Sequence, residues 1–177
     1  MRGVVLAGAA ALDRAVALLC GAIVAATGIA LLGVLAANVT ARYLLGRGGF
    51  AWAQEVPEQL FPWFIAAGVV LAQQQGSHIA VDLLPRALGP RARCVLIVAV
   101  NLGVAAAYVW LAALAFAVAE IASLQQSTLL RIPGSYGYWA VAMMAALTAL
   151  SALTFALRVA LLGAGAAPEA SPGDSPV

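Results

Sequence analysis

The stretch Trp52–Asp82, WAQEVPEQLFPWFIAAGVVLAQQQGSHIAVD, is an apolar run of helix length with WAQE at one end and GSHIAVD at the other. A helix rises about 1.5 Å per residue, so Glu55 and His78 stand roughly 35 Å apart along a continuous helix, on opposite sides of a bilayer. Only Leu60–Ala72 is strictly apolar, Pro62 aside, and this amounts to about 20 Å of helix. A hydrocarbon core is about 30 Å thick. The crossing must therefore include Glu58 and Gln59 at one margin and Gln73, Gln74 and Gln75 at the other. Polar side chains at that depth are costly unless they face protein or water. The pattern predicts a helix shielded by neighbours at both ends. Pro57 suits a first helical turn, whereas Pro62 removes an internal hydrogen bond and bends the helix.

The rest of the chain has the same character. Of its 177 residues 64% are hydrophobic and 9% charged, with a mean hydropathy of +1.01, which marks an integral membrane protein. The net charge of +2 is too small to imply nucleic acid. Apolar runs long enough to cross a bilayer fall at 15–37, 56–75, 94–119 and 138–162. Lipid offers no hydrogen-bond partners, and these lengths and their Ala, Leu and Val content favour helices over barrel strands. The expected fold is all-α, a bundle of four transmembrane helices with short interfacial segments. One such segment is Phe50–Val56, which follows the glycines Gly46, Gly48 and Gly49 and places Trp52 at headgroup depth. A chain this short is expected to be an accessory part of a transporter, which needs more helices for a gated pathway.

Arg2, Arg14, Arg86, Arg91, Arg93 and Arg158 fall on one side of these spans and Arg42, Arg47 and Arg131 on the other. The positive-inside bias places both termini and the middle loop in the cytoplasm. Asp13 and Arg14 interrupt the first apolar run and Leu19 precedes Cys20, so the first span is expected to be an uncleaved anchor. Cys20 and Cys94 sit near reducing-side helix ends and read as packing residues without a disulfide. Asn38-Val39-Thr40 matches a glycosylation sequon by chance, lying against the membrane. Residues 163–177, GAGAAPEASPGDSPV, are expected to form a disordered cytoplasmic tail.

Few residues suggest chemistry. Asn101 in the third span is expected to hydrogen bond to a neighbouring helix. His78 and Asp82, four apart, share a helical face and pair as a structural hydrogen bond; a zinc site would need further ligands nearby. The His-xxx-Asp form of some acyltransferases is present, but no nucleophile or substrate loop accompanies it. No enzyme activity is expected, no internal repeat of the alternating-access kind is visible, and no chain of carboxylates crosses the membrane.

Arg42-Tyr43, then WAQE, Glu58, Phe61, Trp63, Gly68, GSHIAVD and LLRIP before the last helix together resemble the small membrane subunit of tripartite ATP-independent periplasmic (TRAP) transporters. The resemblance covers Asn38–Tyr138. It departs where Gln54 stands in place of an acid, where Thr128 and Arg131 stand in place of Pro and Gly, and where Met143 and Met144 stand in a region the family makes Pro-rich. The resemblance implies a non-catalytic subunit in a bacterial inner membrane that braces a large permease subunit and helps dock a periplasmic binding protein during organic acid uptake. It implies no cofactor in this chain, with the coupling cation, usually sodium, carried by the large subunit. The partners are then that large subunit, the binding protein and the lipid bilayer. The candidate partner interface is Arg42, Trp52, Glu55, Glu58, Trp63, His78 and Asp82, with Arg42 or Arg47 as ion-pair partners of the acids. The alternative is a stand-alone four-helix channel or membrane assembly protein.

Overall fold

Ala-, Leu- and Val-rich runs favour helix, and in lipid the helix also satisfies internal backbone groups, so that single glycines and Pro62 are carried within these helices. The computed structural model describes residues 2–45, 49–76 and 89–163. Within them lie four α-helices: α1 (Arg2–Leu45), α2 (Glu55–Gly76), α3 (Pro90–Ala122) and α4 (Ser135–Leu162), with a short 3-10 helix, Ala51–Gln54, entering α2. No strand forms among the described residues. The all-α architecture is therefore the one expected, and the interfacial piece near Trp52 is that 3-10 turn.

Gly3–Leu44, Arg91–Ala122 and Ser135–Leu162 are long and apolar enough to cross a membrane. The crossing expected over 56–75 coincides with α2, which has the length, 22 residues, but whose polar margins leave it outside that set. Helix α1 also runs well beyond 15–37 at both ends. Asp13 does not break it, because the carboxylate finds partners on α4. Thr27 and Thr40 return their hydroxyls to the carbonyls of Ile23 and Ala36, at 2.6 and 2.8 Å, which hides the polar group within the helix. Pro90 opens α3 at its first position, where no N–H is needed. Gly163 ends α4 at φ 83°, its N–H donating to Val159 O at 2.9 Å.

Helices α1 and α3 run one way and α2 and α4 the other. Gln74 at the end of α2 donates to Ser151 on α4 and to Asp13 O on α1, and the Cys94 thiol at the start of α3 donates to Val159 O on α4. At the opposite end Asn38 of α1 meets Phe50. Helix α4 is the spine: half of its apolar window is buried, against 11% for α3, and its buried positions are mostly Ala, Ser and Thr, small enough for close backbone approach. Helix α3 packs chiefly on α4, while α1 and α2 pack on each other and on α4's other side. Val16, Cys20, Ala67 and Val70 form the core between them, backed by Met144, Leu147 and Leu150 of α4.

One sequence-based expectation changes, and one residue gains a role the sequence did not show. Asn101 does not bond across helices; its side-chain amide donates to Ile97 O of its own helix at 2.9 Å, which lies within reach one turn back. Asn38, read as a chance sequon, closes a turn: its Oδ1 accepts the Phe50 N–H at 2.8 Å. Arg47, His78, Asp82 and residues 164–177 lie outside the described residues, so the expected tail and His78–Asp82 pair lie there too.

Gly49 sits beneath Asn38 with φ 81°, and a Cβ there would lie 2.5 Å from Asn38 Oδ1. Gly49→Ala is expected to lower stability by about 1–3 kcal/mol through the left-handed backbone and the lost turn. Thermal unfolding in detergent checks this, and an unchanged midpoint would refute it.

Candidate partner interface

Glu55 starts α2 and reaches across to the turn between α3 and α4. Its Oε1 accepts the Leu129 N–H at 2.9 Å and its Oε2 the Leu130 N–H at 2.8 Å. The Leu130 N–H does most to hold the carboxyl below its ordinary value, partial desolvation opposes it, and Leu129, the Ser127 hydroxyl and the Thr128 N–H add to the lowering. Glu55 is thus a carboxylate seated in a nest of donors on another element.

That turn is fixed by further bonds. Ser127 N–H donates to Ile132 O at 3.0 Å, Ile132 N–H to Ser127 Oγ at 3.1 Å, and Gly134 N–H to Gln125 O at 2.8 Å. Gln126 and Pro133 form an isolated antiparallel bridge. Arg131 takes φ 52°, a left-handed conformation that glycine adopts without cost and arginine does not.

Arg42, Trp52, Glu58 and Trp63 are the other interface candidates among the described residues. Arg42 is exposed in the last turn of α1, and the other arginine expected beside the acids, Arg47, lies outside the described residues. Trp52 is 42% exposed and stacks on Phe50 at 5.5 Å between ring centroids. Glu58 is exposed and Trp63 half-buried. Trp63 lines an open cleft of about 520 Å³ between α1, α2 and α4, with Thr27, Gln59, Ile132 and Tyr136 among its walls. Among the described residues no group of three metal-binding side chains occurs.

At the far end lies a cluster that sequence reasoning did not assemble. Asp13 Oδ1 accepts the Thr154 hydroxyl at 2.7 Å and Oδ2 accepts Arg158 Nη2 at 2.5 Å, while Gln74 donates to Ser151 Oγ at 3.2 Å. Asp13, Gln74, Ser151, Thr154 and Arg158 are thus joined in one polar cluster across α1, α2 and α4, as polar groups at membrane depth require. The one legible signal was an acid in the first span's margin and a base in the last, on the same expected side.

The family model for the DctQ component of tripartite ATP-independent periplasmic transporters matches residues 31–162. The chain belongs to this DctQ family. A DctQ chain is a non-catalytic small membrane component of a TRAP transporter, so the expectation of no enzyme holds. A relative, the uncharacterized protein y4mM of Sinorhizobium fredii (strain NBRC 101917 / NGR234), is 44% identical over 150 residues, which cover 85% of this chain and 28% of that protein. The present DctQ chain thus spans less than a third of that relative's length.

Two tests follow for this DctQ chain. Arg158→Met leaves the Asp13 carboxylate partly buried without its cation and is expected to cost about 1–3 kcal/mol, and adding Asp13→Leu should recover most of that loss; thermal unfolding of the single and double variants decides. For Glu55, a carboxyl depressed in the folded state contributes fully above its unfolded value of 4.5, and the contribution disappears as pH falls through the lower folded value. Amide exchange at Leu129 and Leu130, corrected for its intrinsic pH dependence, should therefore stay slow above pH 4.5 and quicken in stronger acid, whereas Glu55→Gln should quicken it at neutral pH.

Proposed function

We propose that this chain braces the large permease subunit of a TRAP transporter through α2 and helps a periplasmic binding protein dock at the Glu55 end. In this reading both termini face the cytoplasm of a bacterial inner membrane. The substrate is an organic acid, and sodium, carried by the large subunit, drives uptake; these specifics rest on the family resemblance.

The outward face of α2 carries the bracing role. Gln54, Glu58, Phe61, Ile65, Val69 and Ala72 are all exposed and recur at helical spacing along one side. The apolar part, Phe61–Ala72, is about 17 Å long against a hydrocarbon core of about 30 Å. Lipid along that side would meet Glu58. On α3, by contrast, Val95, Leu102, Val109, Trp110, Leu114, Val118 and Ile121 are exposed, an apolar surface about 39 Å long that suits lipid. The face too short for lipid is the one a protein scaffold covers. Arg42, Trp52, Glu58 and Trp63 flank its outer end, and His78 and Asp82 follow its inner end in sequence.

Single cysteines test the assignment without perturbing the bundle. With a short bifunctional reagent, Phe61→Cys, Ile65→Cys and Val69→Cys are expected to cross-link to the co-expressed large subunit in membranes, while Val95→Cys and Val109→Cys do not. Cross-links from α3 alone would overturn the reading. Solute flux through the purified chain by itself would favour a stand-alone channel.

A further inference from the structure

We propose that the turn between α3 and α4 is a rigid, cationic and apolar docking knob, with Arg131 as the contact for a carboxylate on the soluble binding protein. This rests on the docking role above and names the surface that performs it.

The first observation is depth. Phe50, Trp52, Tyr136, Tyr138 and Trp139 are exposed at the Glu55 end, and Phe116 meets Trp139 edge-on at 5.0 Å. Exposed aromatic rings of this kind mark the headgroup level. Residues 123–134 lie beyond them, outside the hydrocarbon. Yet Leu124 is 86% exposed, Leu129 55% and Leu130 37%. Large aliphatic side chains exposed past the aromatic level suit a protein contact.

The second is charge. Arg131 is the only ionisable residue from Ser123 to Gly134, and it is exposed. Both oxygens of Glu55, the acid seated in this turn, are occupied by the N–H groups of Leu129 and Leu130. Arg131 directly follows two exposed leucines, a combination complementary to a carboxylate with an apolar rim.

The third is rigidity. Glu55, Ser127, Gln125 and the Gln126–Pro133 bridge over-determine the turn, and this support holds Arg131 at φ 52° against its own preference. A lipid surface has no fixed shape to match. A preorganised knob lowers the ordering cost of binding a partner that has one.

The test uses the assembled transporter in proteoliposomes and its own soluble binding protein as the probe, with association rates followed at low and high salt. Arg131→Glu is expected to slow association about tenfold or more and to abolish its acceleration at low salt, while Arg131→Lys stays within about threefold of the unaltered protein. Arg131→Gly suits the backbone at this position and removes the charge without strain, so it should also bind weakly. All three should co-purify with the large subunit. Unchanged association in Arg131→Glu and Arg131→Gly would overturn the proposal. So would a lipid-buried emission spectrum from an environment-sensitive dye on Leu129→Cys in vesicles lacking the binding protein, which would assign the knob to the membrane. No association with the unaltered transporter would sink the docking role itself, and the cross-linking result for α2 would still stand.

Discussion

At each end of this bundle one carboxylate ties helices together by accepting hydrogen bonds from other elements. Asp13 draws α1 onto α4 through Thr154 and Arg158, and Gln74 adds α2 by bonding to Ser151 and the Asp13 carbonyl. Glu55 ties the start of α2 to the turn that joins α3 and α4. Lipid tails supply no hydrophobic drive between helices, so close packing and polar contacts must hold the assembly. The small residues along α4 supply the first and the two acids anchor the second.

The parts of this arrangement legible in the sequence were those set by local hydrophobicity. The four helices, the polar margins of α2 and the interfacial turn at Trp52 follow from composition over windows of a few turns. The partners of the acids were not legible. Glu55 invited an arginine, but backbone amides on a turn 74 residues away reach both its oxygens, and amides leave no mark in a sequence. The Asp13–Arg158 pair spans 145 positions, and nothing local distinguishes Arg158 from an ordinary cytoplasmic-side base. The contact of Asn38 with Phe50 was not legible either, because its partner stands 12 residues further along the chain. Backbone sign was equally hidden at Arg131, where the side chain gives no warning of φ 52°.

Membership of the DctQ family gives the exposed surfaces distinct meanings. A long apolar side on α3, a short one on α2 and a turn that exposes leucines and Arg131 beyond the aromatic rings are three different surfaces. The three are separated on one small scaffold, with α4 as its shared backing. The stretch of the Sinorhizobium relative similar to this chain makes up 28% of that protein, so a sequence of this kind also stands within a longer polypeptide.

The length of α1 has a mechanical corollary. Gly3–Leu44 is 42 residues, about 63 Å of rod, roughly twice the thickness of the oily layer. Such a rod either leans steeply or leaves surplus turns at the surfaces, and its clasp to α4 makes the whole bundle share that posture. Thinner or thicker membranes then rotate or strain the subunit as one body, which makes its bearing on any neighbour a function of lipid composition.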